Sequence, residues 1–319
     1  MTRINLPKLF LGPMSENIIS AVCSYGVPLG FVASRRQVEY SGGYVGGLDT
    51  LKFCNSIRSI NKNIVLERDH AGPAQGLNND DGKISLYFDA KYFDIIHIDV
   101  WKAYRGIEIA AIKTAEYINY CENVHENFYE IGTEQDIRAY TPEELYTFLK
   151  LLKEHTDYFH KISYVVIQSG TSLEGSHNRG IFDEAKLKDM LDLCRFFNKK
   201  SKEHNGDYLD PNLIKQKYSL GLDAINIAPE LGRIETQVVI EKLKENPDKL
   251  EKLFDICFHS GKWQRWLGSN FNGDKENLIE VCGHYVFNNH FFKILIQGYE
   301  EFIQLETEKR IHNFIKKIL

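Results

Sequence analysis

The chain alternates short apolar runs with longer amphipathic stretches. The runs are LFLGP (9–13), GFVAS (30–34), NIVLERDH (63–70), DIIHIDV (94–100), FYEIGTE (128–134), SYVVIQSG (163–170) and AINIAP (224–229). Each has strand length and is rich in Val, Ile, Phe or Tyr. They do not alternate strictly between apolar and polar, which is the pattern of strands buried on both faces, as parallel strands are. Between them the pattern becomes helical. Ser15 is placed to cap a helix that ends at Gly26. Residues 107–121 and 141–154 read as helices, the second with Thr141 as cap, Pro142 in the first turn and glutamates after it. Segments 182–200 and 234–246 complete the set. Strand and helix in repeated alternation predict a parallel sheet.

Seven clear strands are one short of a (β/α)8 barrel. The eighth must fall between 170 and 224, after the helix at 182–200, where only SKEHNGDYLD (201–210) is available, a poor strand by composition. The rival architecture, an open doubly wound sheet, usually carries a glycine-rich turn after a strand. No G-x-G-x-x-G follows any strand here, so the dinucleotide fold loses support. The expectation is an α/β chain: a TIM barrel over residues 1–246, and a helical C-terminal extension over 247–319 packed on it. The extension lacks the alternation and carries an aromatic, basic patch, KWQRW (262–266).

With 319 residues and 43% hydrophobic content, the chain can build one large core or two modest ones. Net charge is −5 and there is no basic run, which argues against nucleic acid as a partner. A locally basic pocket for a small anion remains compatible with that balance. Six scattered cysteines, without a C-x-x-C pair, point away from a disulfide framework or zinc ribbon and toward the reducing cytoplasm. The stretch MTRINLPKLFLGPMSEN is too briefly apolar for a leader, and no run approaches the roughly 20 apolar residues of a membrane span.

In a parallel barrel, chemistry gathers at the C-terminal ends of the strands. Those ends supply Ser15, then Ser34, Arg35, Arg36 and Gln37, then Asp69 and His70, His97 and Asp99, Glu134, Gln168, His204 and Asp207, and Asn226 and Glu230. Ionisable groups inside apolar runs are costly unless they pair with each other, a metal or a ligand, so the rim reads as a functional site. His97 and Asp99 are two apart and share a strand face, which suits a metal site or a plain His–Asp hydrogen bond. Asp69 and His70 are adjacent. Both can face the site only if the strand breaks there, and Ala-Gly-Pro (71–73) follows. Imidazole and carboxylate donors suit zinc or a similar divalent ion acting as a Lewis acid on a carbonyl, with a nearby carboxylate moving a proton. A Schiff-base route needs a lysine at a strand end, and Lys161 stands at the start of its strand. Ser41-Gly42-Gly43-Tyr44 and Gly46-Gly47 either present amides to a phosphate or form tight turns. The segment SGTSLEGSHNRG (169–180), with His177 and Arg179, is long enough for a substrate loop, and its arginine suits an oxyanion.

A family resemblance rests on segments that come in one order: FVASRRQVEYSGGYVGG (31–47), ERDHAGP (67–73), IHIDVWK (96–102), IGTEQ (131–135), VVIQSG (165–170), EHNGDY (203–208) and INIAPEL (225–231). Together they resemble the D-tagatose-1,6-bisphosphate aldolase subunit family of the KbaZ/GatZ type, itself related to class II, zinc-dependent aldolases. SGKWQRWLG (260–268) fits the family's C-terminal region. The resemblance implies that Asp69 is the catalytic acid/base, His70 the adjacent zinc ligand and His204 a later one. It implies that Asp99 and Glu134 are acidic positions of the metal pocket. The middle histidine ligand is not evident, since its strand ends in Gln168, with His177 further along as the substitute. Arg35, Arg36, Gln37, His97, Gln168, Arg179, Asn226 and Glu230 are left for the substrate. Arg36 stands where the family's A-T-x-N-Q segment has Asn, and HNGDY stands where class II aldolases have a Gly-Gly-Ser-Gly phosphate loop. The implied activity is metal-dependent cleavage of a sugar phosphate or a related small carbonyl substrate. The alternatives are a metal-dependent sugar-phosphate epimerase or isomerase, and a non-catalytic subunit that stabilises a partner aldolase. A homo-oligomer is compatible with either.

Overall fold

All seven apolar runs form strands, and the eighth strand lies where the composition was poorest. The computed structural model describes residues 5–268 and 271–319. The first four residues of the N-terminal stretch discussed above lie outside that range. In chain order the strands are β1 (Leu9–Leu11), β2 (Gly30–Ser34), β3 (Val65–Ala71), β4 (Ile95–Ile98), β5 (Phe128–Ile131), β6 (Ile162–Ile167), β7 (Leu173–Glu174), β8 (His177–Asn178), β9 (Lys200–Glu203) and β10 (Ala224–Ile227). All but β7 and β8 close into one parallel barrel, in which β9 stands between β6 and β10, and β10 returns to β1. The pair β7–β8 is a small antiparallel hairpin in the loop after β6.

The helices around the barrel are α1 (Glu16–Ser24), α2 (Thr50–Ile60), α3 (Lys83–Tyr92), α4 (Ile107–Glu122), α5 (Pro142–His155), α6 (Glu184–Phe196), α7 (Pro211–Leu220) and α8 (Pro229–Leu243). Local chemistry sets several of their starts. The Ser15 side chain accepts the Ile18 amide at 3.0 Å. Thr141 and Glu144 form a reciprocal capping box ahead of Pro142. α2, α3 and α7 were not read from the pattern, and α6 stops at Phe196 so that the chain can enter β9.

Side chains inside the barrel lie in storeys. The lowest is apolar: Phe10, Val32, Val65, Ile95, Tyr164 and Ala224 pack together. Above it come Glu67, two residues past Val65 on β3, with Glu130 of β5 and Lys202 of β9, all fully buried. Two further along again come Asp69 and His204, at the mouth. β9 therefore carries charge where its neighbours carry Val and Ile. Its inward Lys202 meets Glu67 and Glu130, at 2.6 and 2.7 Å. Its outward Glu203 meets Lys217 of α7 at 2.6 Å and accepts from Ser169.

The chain continues through α9 (Pro247–His259), α10 (Gln264–Leu267), α11 (Lys275–Cys282), α12 (His290–Leu295) and α13 (Glu300–Ile318). α8, α9, α11 and α12 share a second apolar core around Val238, Leu253 and Leu278. α13 returns to pack on α1 and α8, and its Ile311, Ile315 and Ile318 join the main core. The six cysteines are buried and free. Among the described residues no helix is long and apolar enough to cross a membrane.

Candidate metal centre at the barrel mouth

Three imidazoles and a carboxylate converge at the C-terminal ends of β3, β4 and β9. Asp69, His70, His97 and His204 each offer a donor atom, and these four atoms lie within 4.8 Å of one another. The break expected in β3 is present. Its pairing with β4 slips between Arg68 and Ala71, and His70 takes φ +47°, left-handed backbone that a histidine rarely adopts. The bulge turns Asp69 and His70 toward one centre despite their adjacency, and such local strain is typical of functional sites.

Each imidazole is held from behind. His70 Nδ1 bonds Asp99 Oδ2 at 2.7 Å, His204 Nε2 bonds Glu130 Oε1 at 2.5 Å, and His97 Nε2 lies 3.1 Å from the Gly132 carbonyl oxygen. A carbonyl only accepts, so His97 Nε2 carries the hydrogen and its Nδ1 is an acceptor, which takes the His70 amide at 3.3 Å. The opposite nitrogens face inward. Asp69 Oδ1 lies 3.4 Å from His97 Nδ1, 3.7 Å from His70 Nε2 and 4.0 Å from His204 Nδ1. Glu134 Oε2 lies 3.4 Å from His70 Nε2 and 3.7 Å from His204 Nδ1. An imidazole whose far nitrogen is fixed by a carboxylate or carbonyl is the usual arrangement of a metal ligand. The donor set, imidazole nitrogens with flanking carboxylates, fits zinc or a similar divalent ion, which would displace protons from His70 and His204 on binding. A tetrahedron with bonds of about 2.0–2.1 Å has edges of roughly 3.3 Å, so ligand atoms spread over as much as 4.8 Å would draw together on binding.

The electrostatics of these side chains agree with a cation-seeking cluster. Burial works against charge on all of them, yet mutual attraction wins. His70 is raised well above the ordinary histidine value by Asp69 and Glu134, and His204 is raised to about 9, chiefly by Glu130. Asp69 and Glu134 are held below the usual carboxylate range despite burial, mainly by His70. Beneath them, burial and the charge of Glu130 push Glu67 well up, whereas Lys202 and His204 overcome burial to hold Glu130 well down.

The remaining rim residues separate into two groups. Arg36, Gln37, Glu134, His204 and Asn226 line one pocket with Asp69 and His70. Asn226 is buried, and among the described residues neither of its amide atoms has a hydrogen-bond partner. Asp207 lines the same pocket, and burial with the nearby Glu230 raises it to about 8. Glu230 itself accepts the Tyr208 amide at 2.6 Å, and burial raises it to about 7. Other residues are turned to structural partners. Arg35 is buried against Glu39 and Asp80. Gln168 braces the Tyr140 amide and the Thr133 and Arg138 carbonyls. Asp99 meets His70, so the His97–Asp99 bond weighed from spacing does not form. His177 and Arg179 belong to the hairpin region. His177 is exposed there and outside the imidazole cluster, and Arg179 points toward Asp136 and Glu174. In the glycine-rich loop the amides of Gly42, Gly43, Tyr44 and Val45 all donate to carbonyls of the same loop. A Cβ on Gly43 would fall 2.1 Å from the Gln37 carbonyl oxygen, so these glycines serve a tight turn.

Sequence reading missed Glu67, Glu130 and Lys202. The signal was present for two of them: Glu67 and Lys202 lie two residues before the rim residues Asp69 and His204, and so share their faces. It also missed Arg265, Trp266 and Tyr285, which the C-terminal segment brings to the pocket wall.

No family model matches the chain, and no curated protein matches it. Solved structures do. A probable tagatose 6 phosphate kinase from Sinorhizobium meliloti 1021 superposes with a TM-score of 0.72 at 15% identity, over 98% of this chain and 99% of that one. The YdjI aldolase from Escherichia coli K12 gives 0.59 at 13% identity, over 98% and 90% of the two chains. The fructuronate-tagaturonate epimerase UxaE from Cohnella laeviribosi gives 0.63 at 12%, over 97% and 80%. At these identities the likeness is one of fold.

Proposed function

We propose that the chain is a metal-dependent enzyme of the aldolase kind that acts on a sugar phosphate. The observation that carries the reading is the convergence of His70, His97 and His204, each with its far nitrogen anchored on Asp99, Gly132 or Glu130. In this reading the three near nitrogens hold a divalent ion, zinc by preference. His97 takes the place of the middle ligand, and His177 has no part. The bound ion supplies Lewis-acid polarisation of the substrate carbonyl. Asp69, ionised and bordering the pocket, accepts the hydroxyl proton as the carbon–carbon bond beside that hydroxyl opens. Asn226 offers its unpartnered amide to a substrate oxygen. Asp207, neutral at pH 7, donates a hydrogen bond to another. Arg36 meets the anionic end.

A second reading, epimerisation, is favoured by one observation: Asp69 and Glu134 border the same two imidazole nitrogens. One carboxylate removing a proton from carbon and the other returning one to the opposite face would break and re-form a C–H bond, inverting that carbon without cleaving a carbon–carbon bond.

Zinc titration of the purified chain, with product identification by NMR on a panel of ketose phosphates, tests both readings. Zinc-dependent cleavage supports the first, and inversion supports the second. No zinc, no turnover and a gain in the stability of a partner aldolase would assign the chain to the stabilising-subunit role. Asp69→Ala is expected to abolish turnover while leaving the melting temperature near that of the parent. Unchanged activity in that variant would remove the mechanism.

A further inference from the structure

Outward from the imidazoles, the pocket continues between the β2–α2 loop and the C-terminal segment. Arg36 of that loop and Arg265 of α10 line both the inner pocket and its outer continuation, as do Tyr44 and Tyr285. Lys262 joins them in the outer part. The wall there is completed by glycines and Leu77, so it presents three cations and no carboxylate. Among the described residues none of the three cations forms a salt bridge.

That grouping is unusual for this molecule. Arg35, next in sequence to Arg36, is neutralised by two carboxylates. Arg36 instead is lowered, first by partial burial and then by the charge of Arg265. Like charges brought together without a counter-charge repel, and a bound anion relieves that repulsion. The turn formed by Gly42 and Gly43 has no free amides to offer, so recognition there falls to the side chains.

We propose that Arg36, Lys262 and Arg265 form a pocket for a phosphate dianion at the end of the substrate remote from the imidazole centre. The C-terminal segment is thereby part of the binding site as well as a packing element. This rests on the reading of the mouth as a sugar-phosphate site and makes it more specific. Two guanidinium forks and an ammonium offer one cationic donor group to each of the three terminal oxygens of a phosphate, whose two charges leave one cation over. A carboxylate, with one charge and two oxygens, leaves two cations over and one donor group without an oxygen.

The test uses the full chain and three probes in calorimetric titrations: inorganic phosphate, glycerol 3-phosphate and glycerate. Both phosphates are expected to bind, with glycerate at least about tenfold weaker. The double variant Lys262→Ala/Arg265→Ala is expected to weaken both phosphates by at least about tenfold and to leave zinc affinity unchanged. Both side chains are exposed, so the change does not disturb the core. Glycerate binding as tightly as glycerol 3-phosphate, or phosphate affinity unaltered in the double variant, would overturn the proposal. Zinc affinity of the parent chain is a separate readout. A parent that binds no zinc but binds phosphate through Lys262 and Arg265 would sink the metal reading and uphold the anion pocket.

Discussion

β6 and β9 lie side by side, paired from Tyr164–Lys200 to Ile167–Glu203, and are buried nearly alike. One is written in tyrosine, valine and isoleucine, the other in lysine, serine and glutamate. The barrel accepts both because a strand position can be satisfied by apolar contact or by a charge whose partner is already buried nearby. The two solutions differ in where their information lies. The apolar character of β6 is local. The partners of Lys202, at Glu67 and Glu130, are 135 and 72 residues away in sequence.

That contrast can be broken experimentally. Lys202→Met should have the largest effect. It leaves two carboxylates facing each other inside the barrel and should cost about 3–5 kcal/mol in urea unfolding. A loss under about 1 kcal/mol would mean that the charges are not what holds β9 in place. Lys217→Met comes next, at about 2–3 kcal/mol, because Ser169 still donates to Glu203 through its amide and hydroxyl.

Glu235 of α8 sharpens the comparison from the other side, as a buried carboxyl with no cation. Ser15 and Asn17 hold it, and burial raises it from 4.5 to about 7. The folded value lies above the unfolded one. Its contribution is therefore fully present in acid and is lost as pH rises from about 4.5 to 7. Glu235→Gln should match the parent at pH 4 and exceed it at pH 8, by on the order of 1–2 kcal/mol in denaturant midpoints. Ile167→Val in β6 is the smallest change, about 0.5–1.5 kcal/mol, and should be independent of pH.

The same distinction explains what could be read from the chain. Seven strands and the helices capped by Ser15 and Thr141 were legible because their signals are local. The break at Asp69–His70 was legible because adjacency on a strand and the following Ala-Gly-Pro allow only one way for both to face inward. β9 was not, since its charges look like loop until their distant partners are known. Spacing left His97 open between a metal site and a bond to Asp99, and it was grouped with the substrate residues, whereas Asp99 in the folded chain reaches His70 on another strand. Arg265 was visible only as part of a basic, aromatic patch, because its place over the barrel mouth depends on how α9 to α12 pack.

The kink in β3 has one further bearing, on which genetic changes the protein can survive. Asp69 and His70 share a centre only because the strand holds one residue more than an even pleat allows. A deletion of one codon there could leave eight strands and every neighbouring side chain in place, yet swing one of the pair to the outer wall. At this point the chain is sensitive to counting rather than to chemistry, and single-residue deletions should be tolerated less well than replacements.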